Sequence, residues 1–306
     1  MIRSLFGRRS SRAALTATAA AALVAGAVAV PAVAAPAAGP AATSCAHPAV
    51  PAARVSYQLF TSRNWIGEVG LDAVLAELSA IGYEQVQPYR ATYRTPATEL
   101  RAMLKNNDLA AWSGQGNVDE ATFDATIEYA RTIGQKYMGS GGFAAPGIGS
   151  YADTLATAAT LNRLGERSVR AGTGKVFGHN HWQEFTTRYP DPVTGELKSA
   201  WQIMVENTDP RWVTFEVDVF WAADAGVDVA ALIREYGNRI ELLHVKDGFL
   251  NGDLRGVPAD VGEGELDWAP ILEAALPYVK QYVVERDNAP TGPETAADSF
   301  RFLTCQ

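Results

Sequence analysis

Apolar and polar positions follow two repeating patterns along most of the chain. Short apolar runs have the length of buried strands, and longer segments repeat apolar residues every three to four positions, as an amphipathic helix does. In the segment 70–81, apolar residues recur at this helical spacing, at Leu71, Val74, Leu75, Leu78 and Ile81. The pair of patterns occurs eight times, which predicts eight strand–helix units.

The predicted strands are 55–60, 85–89, 109–113, 136–140, 175–181, 212–220, 240–247 and 281–287. The predicted helices are 70–81, 96–106, 119–133, 151–171, 199–206, 229–236, 267–276 and 293–303. Strands that alternate with helices form parallel sheets, and eight units within about 250 residues are typical of an α/β protein of the (β/α)8 TIM barrel class. An open doubly wound sheet is the alternative, but no Gly-x-Gly-x-x-Gly motif follows the first strand to support it.

The first 34 residues have the pattern of a secretory signal peptide. Four arginines within the first twelve residues precede an uncharged Ala/Val-rich run over 13–30, and Ala-Val-Ala at 32–34 offers a cleavage site. The paired arginines at positions 8 and 9 fit the twin-arginine export route. An uncleaved membrane anchor is the alternative, although alanine is a poor membrane residue. We therefore expect a secreted, extracytoplasmic protein.

The net charge of the chain limits the classes of molecule that it is expected to bind. The net charge is −8, and it becomes −12 once the four arginines of residues 1–34 are removed. An acidic surface argues against a nucleic-acid partner and against an anionic membrane surface.

The rest of the chain divides into two parts. Residues 35–53 form an Ala/Pro-rich lead-in, and residues 54–306 form the predicted single-domain barrel. We expect no stable membrane insertion after signal cleavage, and the oligomeric state stays open.

The two cysteines, Cys45 and Cys305, lie near the two ends of the mature chain. In an exported protein such a pair predicts a disulfide. The bond requires Cα atoms within about 7 Å of each other. A closed barrel meets this requirement because its last helix packs beside its first strand. Lipidation of Cys45 is the alternative, in a poor sequence context for acylation.

Metal-competent side chains end four consecutive predicted strands. His179 and His181 end the fifth strand at a spacing that places both on one face. Asp218 ends the sixth strand, His244 the seventh and Glu285 the eighth. The carboxyl ends of barrel strands converge on one mouth, so these groups predict a metal site. Mixed nitrogen and oxygen donors suit Zn²⁺, Mn²⁺, Co²⁺ or Fe²⁺ better than Ca²⁺.

Other charged residues share these strand ends. Glu216 lies two residues before Asp218 inside an apolar strand, where an acid is costly unless it is paired or metal-bound. Lys246 shares a face with His244, and Asp287 shares a face with Glu285. Structural ion pairs are the alternative for each acid.

Two long loops, 184–198 and 248–266, follow strands five and seven. Their position at the carboxyl end of the barrel suggests lids or substrate walls.

Six motifs carry a resemblance to a known family. They are Gly178-His179-Asn180-His181, Glu206-Asn207-Thr208-Asp209-Pro210, Phe215-Glu216-Val217-Asp218-Val219-Phe220-Trp221, Leu243-His244-Val245-Lys246-Asp247, Gly262-Glu263-Gly264 and Val284-Glu285-Arg286-Asp287. In order and spacing they resemble the sugar phosphate isomerase/epimerase superfamily, the xylose isomerase-like TIM barrels that include inosose dehydratases and 3-keto-glycoside-processing enzymes. The resemblance covers most of residues 55–303.

The resemblance implies a set of metal ligands. Asp218, His244 and Glu285 match three ligands of the family, and the first ligand, commonly a glutamate at the end of strand five, falls on His179. His181 falls where related barrels keep a polar residue that orients the substrate. Which of the two histidines binds the metal stays open.

The resemblance also implies roles around the metal. Lys246 would contact a substrate oxygen or orient Asp247, and Glu285 or a histidine would move a proton from carbon. The expected catalytic residues are therefore Glu285, His181 and Lys246. The expected substrate-binding residues are Gln87, Trp112, Trp182, Trp221 and Asp287.

Three positions depart from the family pattern. Gln87 ends strand two where relatives often have glutamate, and the sequence over 111–115 has no histidine at the end of strand three. Trp221 stands where many relatives have histidine. A mechanism with two flanking carboxylate bases is therefore less well supported than the metal site.

Together these features predict an exported, metal-dependent enzyme of the isomerase/epimerase type. Its expected partner is a small unphosphorylated keto-sugar or 3-keto-glycoside, converted through an enediolate by isomerisation, epimerisation or β-elimination. Two alternatives remain, a catalytically degenerate barrel that binds carbohydrate and a metal-dependent hydrolase.

Overall fold

The described part of the chain is a closed barrel of parallel strands surrounded by helices, as predicted. The computed structural model describes residues 45–251, 254 and 256–306. The predicted signal peptide over 1–34 and the lead-in as far as residue 44 lie outside these residues. Among the described helices, none has the length and apolar character needed to cross a membrane.

The strands are β1 (Val55–Gln58), β2 (Gln85–Gln87), β3 (Ser113–Gln115), β4 (Tyr137–Gly139), β5 (Lys175–His179), β6 (Arg188–Pro190), β7 (Leu197–Ser199), β8 (Val213–Asp218), β9 (Ile240–Val245), β10 (Asp247–Phe249), β11 (Val257–Ala259) and β12 (Gln281–Val284). Eight of them form the barrel in the order β2-β1-β12-β9-β8-β5-β4-β3. Single bridges between Gln85 and Ala110 and between Tyr89 and Gln115 join β2 to β3 and close it. The other four form two antiparallel hairpins, β6–β7 and β10–β11.

The helices are α1 (Arg63–Val69), α2 (Leu71–Ile81), α3 (Ala97–Asn106), α4 (Phe123–Ile133), α5 (Tyr151–Arg170), α6 (Gln183–Thr186), α7 (Ala200–Glu206), α8 (Val219–Asp224), α9 (Val229–Tyr236), α10 (Trp268–Ala275) and α11 (Glu294–Thr304). Each helix that covers the barrel buries one apolar face; α2, for example, buries Val74, Leu75 and Leu78. Strands between such helices are buried on both sides, which explains their near-continuous apolar sequences.

Six of the eight predicted barrel strands end two or three residues too late; the eighth, for example, was predicted to continue to residue 287 but ends at Val284. Two of the boundary errors bear on the site. The third strand was predicted at 109–113 but lies at Ser113–Gln115, so the register at this point of the barrel differs from the prediction. The sixth strand was predicted to continue to Phe220 but ends at Asp218. Asp218 caps the helix that follows by accepting a hydrogen bond from Trp221 N. A continuous apolar run does not distinguish strand from helix, so only the cap reveals this boundary.

The two ends of the described chain are joined as predicted. A disulfide links Cys45 to Cys305, with the Cα atoms 5.8 Å apart. Beside it, the amide of Val50 donates to the carbonyl oxygen of Leu303 at 2.8 Å. The last part of the predicted lead-in is therefore held against α11.

Both loops predicted to form walls contain hairpins. The segment after β5 holds α6 and the β6–β7 hairpin, and the segment after β9 holds the β10–β11 hairpin. Asp247 anchors the second segment, because its carboxylate accepts hydrogen bonds from the amides of Gly248 and Gly262 and from Trp268 Nε1, at 2.8, 2.9 and 2.8 Å. A Cβ on Gly264 would lie only 2.1 Å from Asp247 Oδ1, so glycine is needed there.

Replacing Asp247 with alanine is expected to lower the free energy of unfolding by about 3–5 kcal/mol, because several buried donors lose a charged acceptor. Denaturant unfolding measures the loss. Asp267→Ala is the matched control, since Asp267 precedes α10 without a side-chain capping hydrogen bond. A cost for Asp247→Ala as small as that for Asp267→Ala would contradict the anchoring role.

Candidate active site

Asp218, His244 and Glu285 meet at the carboxyl end of the barrel. They end β8, lie near the end of β9 and follow β12 directly, so neighbouring strands bring them together. All three are buried, and each offers a ligand atom within 4.8 Å of the others. The two carboxylate oxygens of Asp218 have different partners. Oδ1 accepts the capping hydrogen bond of α8, and Oδ2 lies 3.0 Å from Lys246 Nζ. These three side chains are thus close together, as their positions at the ends of neighbouring predicted strands led us to expect.

Lys246 is a fully buried cation among the carboxylates. Its ammonium lies 3.0 Å from Asp218 Oδ2, 2.7 Å from Glu285 Oε2 and 2.9 Å from Asp287 Oδ2. Burial acts to lower the pKa of Lys246, but these acids, Asp218 foremost, outweigh it and raise the pKa. Lys246 therefore stays charged. It does not contact Asp247, whose carboxylate is occupied by the loop after β9.

His244 lies between two carboxylates. Its Nδ1 is 2.8 Å from Glu285 Oε2, and its Nε2 is 3.1 Å from Glu216 Oε2. Burial acts to lower the pKa of His244, but Glu216 and Glu285 reverse the effect and raise the pKa to about 10. In return, although burial acts to raise the pKa of Glu285, Lys246 and His244 hold that pKa well below its usual range.

The two histidines at the end of β5 occupy different environments, since His179 is the last residue of the strand and His181 lies two residues beyond it. His179 is buried, with its ring centroid 4.5 Å from that of His244 and 5.0 Å from that of His181. It forms a second metal-competent group with Glu216 and His244. His181 is partly exposed, and its backbone amide donates to Glu184 Oε2 at 2.8 Å. Burial lowers the pKa of both imidazoles, and the neighbouring Lys246 lowers that of His181 further.

Glu216 and Gln115 also belong to the site, although the predicted site residues do not include them. Gln115 Nε2 donates to Glu216 Oε2 at 2.9 Å, and Gln87 Nε2 donates to Glu216 Oε1 at 2.5 Å. The sequence carried a signal for Glu216, an acid inside an apolar strand. Gln115 lay two residues beyond the predicted third strand, and the segment 111–115 was noted only because it lacks the histidine that relatives often have there.

A cavity of about 1270 Å³ opens above these residues. His179, His181, Glu285 and Asp287 line it, together with the aromatic pair Phe60 and Tyr89, whose ring centroids are 5.6 Å apart. Within the part of the chain that the structure describes, Arg90 is the only lysine or arginine among the lining residues. The described wall of the cavity is therefore partly aromatic and poor in cations.

The three tryptophans expected to bind substrate are not all at the site. The ring of Trp221 lies 6.3 Å from the ring of His181 and 5.5 Å from Lys246 Nζ, next to the site but not among the residues that line the cavity. Trp182 follows His181 directly, is partly exposed and does not line the cavity. Trp112 lies elsewhere, because it precedes β3, stacks under Lys136 Nζ at 3.4 Å and lines a separate cavity. Gln87 is fully buried within the Glu216 network rather than in the cavity wall.

Trp221→Ala is expected to weaken sugar binding by about tenfold, because a ring beside His181 and Lys246 offers a stacking surface. The matched substitution Trp112→Ala should leave sugar affinity within twofold of the wild type. Isothermal titration with a sugar ligand measures both affinities. Equal weakening in both variants would show that Trp221 has no specific role.

The donor set fits a divalent metal. Among the described residues, His179 Nδ1 and Asp218 Oδ2 are buried without a well-aligned hydrogen bond, although Lys246 Nζ lies 3.0 Å from Asp218 Oδ2. Imidazole and carboxylate donors at such positions suit Zn²⁺ or Mn²⁺, and an ion is one group that satisfies such atoms. Asp218, His244 and Glu285 would hold the metal, with His179 beside them.

Known proteins resemble the chain in sequence and fold. The inosose dehydratase of Geobacillus thermodenitrificans is 28% identical over 146 residues, which are 42% of this chain and 46% of that enzyme. The match thus spans less than half of the relative's length.

Three solved structures share the fold. A sugar phosphate isomerase/epimerase of Parabacteroides distasonis has a TM-score of 0.67 at 20% identity, covering 84% of this chain and 97% of its own. A 3-keto-D-glucoside 4-epimerase of E. coli has a TM-score of 0.58 at 17% identity, with 83% and 99% covered. The IOLI protein with a bound zinc atom has a TM-score of 0.58 at 16% identity, with 82% and 95% covered.

The model of one protein family matches residues 75–304, about three quarters of the chain. That span includes β2 to β12 and every residue of the candidate metal site. The chain therefore belongs to the xylose isomerase-like TIM barrel family.

Proposed function

We propose that this protein is an exported, divalent metal-dependent enzyme that converts an unphosphorylated keto-sugar or 3-keto-glycoside through an enediolate. The net reaction is an isomerisation, an epimerisation or a β-elimination. The observation that carries the proposal is the convergence of Asp218, His244 and Glu285, with ligand atoms within 4.8 Å of one another, directly behind a cavity that Glu285, His181 and Asp287 line.

The side chains around the cavity supply complementary chemistry. A metal bound there would polarise a carbonyl oxygen and so acidify the neighbouring carbon. His181 lines the cavity with a lowered pKa, so it is neutral near pH 7 and can accept a proton from that carbon. Lys246 stays charged behind the cavity wall, where its ammonium pairs with Asp218, Glu285 and Asp287 and so stabilises their negative charge.

Glu285 supplies a second proton-transfer group. Its carboxylate lines the cavity and remains ionised beside Lys246 and His244. A carboxylate and an imidazole on one cavity allow a proton to leave carbon and return to the same or the neighbouring carbon. Each such transfer contributes roughly 10²–10⁴-fold to the rate.

The charge of the cavity supports an unphosphorylated substrate. Among the described residues, Arg90 is the only lysine or arginine that lines it, whereas phosphate groups are usually bound by several cations or by amides at a helix N-terminus. The E. coli relative is a 3-keto-D-glucoside epimerase and the Geobacillus relative is an inosose dehydratase, so both names point to cyclic polyols or ketones.

Export is part of the proposal. The signal-peptide pattern over 1–34 supports it, and so does the disulfide between Cys45 and Cys305, because disulfides persist in oxidising compartments. Unphosphorylated glycosides are the form of sugar expected outside the cytoplasm.

A carbohydrate-binding barrel without turnover is the second candidate. The observation in its favour is the pair Gln87 and Gln115, neutral amides at the ends of β2 and β3. Both amides hydrogen-bond Glu216, so neither offers a base to the cavity.

Hydrogen–deuterium exchange separates the two candidates. The metal-loaded protein is incubated in D₂O with 3-keto-glycosides and keto-sugars, and NMR follows the carbon next to the carbonyl. The enzyme should introduce deuterium at that carbon, and His181→Gln should slow the exchange by about 10²-fold or more. Carbohydrate binding without any exchange would favour the second candidate.

A further inference from the structure

Glu216 is a fully buried carboxylate directly beneath the candidate active site. It lies on β8 two residues before Asp218, and it does not line the cavity. Its oxygens lie 2.5 Å from Gln87 Nε2, 2.9 Å from Gln115 Nε2 and 3.1 Å from His244 Nε2. A carboxylate buried away from substrate and solvent is costly, so this arrangement calls for an explanation beyond packing.

The surrounding amides hold Glu216 as a hydrogen-bond acceptor. Gln58 Nε2 donates to Gln87 Oε1, which turns the amide nitrogen of Gln87 toward Ser113 Oγ and Glu216. Gln115 presents its amide nitrogen from the other side. All these neighbours donate, which favours the ionised carboxylate.

The carboxylate of Glu216 faces Nε2 of the His244 ring. On that side, Nε2 lies 3.1 Å from Glu216 Oε2 and 2.9 Å from Gln87 Oε1, two acceptors that favour a proton on Nε2. The amide nitrogen of Gln115 lies 3.3 Å from Nε2, but its shorter contact is with Glu216 Oε2, to which it donates at 2.9 Å. On the other side, Nδ1 lies 2.8 Å from Glu285 Oε2 and 3.9 Å from Asp218 Oδ2. The two nitrogens of one ring therefore face two different groups of side chains.

We propose that Glu216 is a positioning residue: with a metal bound, it would hold the Nε2 proton of His244 and so leave Nδ1, which lies beside Asp218 and Glu285, as the ligand atom. Glu216 Oε2 also lies 3.5 Å from His179 Nδ1, but without a well-aligned hydrogen bond, so the carboxylate orients the imidazole of His244 and not that of His179. The role rests on the proposed metal site. Removing a carboxylate that orients a metal-binding histidine in this way typically weakens metal affinity by 10–100-fold.

Zinc affinity tests the role directly. Glu216→Gln keeps the shape of the side chain but removes its charge, and chelator competition should show a 10–100-fold weaker affinity for Zn²⁺. Glu241→Gln is the matched control, because Glu241 lies on β9 at the other end of the barrel, paired with Lys175 and Tyr137. It should bind Zn²⁺ within twofold of the wild type. A folded Glu216→Gln variant with wild-type affinity would overturn the proposal.

A measurement on the wild-type protein avoids any dependence on the folding of that variant. The chain has only four histidines, so ¹⁵N-labelled imidazoles can be assigned one by one. With Zn²⁺ bound, the ¹⁵N shifts of His244 should show a protonated Nε2 and an unprotonated Nδ1. The reverse assignment would overturn the role of Glu216 while leaving the metal site intact. A wild-type protein that binds no Zn²⁺ would instead reject the proposed function, and the positioning role with it.

Discussion

Glu285→Gln is expected to lower kcat by about 10³-fold or more, the largest effect of any single substitution. Glutamine keeps the shape of the side chain but removes the charge that faces both His244 and Lys246, at 2.8 and 2.7 Å. Under the proposed function, the variant loses a metal donor and a proton-transfer group, and the latter alone is worth roughly 10²–10⁴-fold. Deuterium incorporation into a 3-keto-glycoside measures kcat.

The matched control for this substitution is Glu77→Gln, which makes the same chemical change on the exposed face of α2. Its kcat should equal that of the wild type. A kcat for Glu285→Gln within threefold of the wild type would show that Glu285 does not take part in the reaction.

The disulfide between Cys45 and Cys305 is expected to have the largest effect on stability. The two cysteines are 260 residues apart in sequence, so the bond closes almost the whole described chain into one ring. By the loop-entropy argument, such a ring stabilises the fold by about 4–5 kcal/mol. The Cys45→Ser/Cys305→Ser double variant should therefore melt roughly 10 °C or more below the wild type.

Reduction of the wild-type protein serves as the control. It should lower the Tm to that of the double variant, and the double variant should keep its activity at 25 °C, because the bond lies outside the cavity lining. A Tm within about 2 °C of the oxidised wild type would contradict the predicted stabilisation.

The fold was largely predictable from sequence because its signals are local and repeated. Apolar periodicity distinguishes the strands from helices such as α2, and eight repeats within this length leave few architectures other than a barrel. The errors arose at short apolar runs. Residues 219–220 continue an apolar strand in sequence, yet they begin α8 because Asp218 provides the helix cap.

The error in the third strand also explains the error at Trp112. A strand over 109–113 would have placed Trp112 near the barrel mouth, whereas β3 begins only at Ser113. Trp112 therefore lies before the strand, and Gln115 is the residue at the carboxyl end of β3, at the mouth of the barrel. Period-two alternation cannot reveal such a shift in a strand of three residues.

The candidate metal site was predictable for a different reason. Each of the last four barrel strands delivers its group at the carboxyl end, and parallel strands bring those ends together whatever the details of packing. The hydrogen-bond network beneath the site was not predictable, because the contacts of Glu216 with Gln87 and Gln115 span 129 and 101 residues of sequence.

The central claim is that Asp218, His244 and Glu285 together hold one divalent metal. The most direct test is elemental analysis of the purified wild-type protein, repeated on His244→Ala and Glu285→Ala. We expect about one equivalent of metal in the wild type and less than a tenth of an equivalent in each variant, with all three proteins folded by circular dichroism. Stoichiometric metal in both variants, or none in the wild type after incubation with Zn²⁺ and Mn²⁺, would contradict the claim.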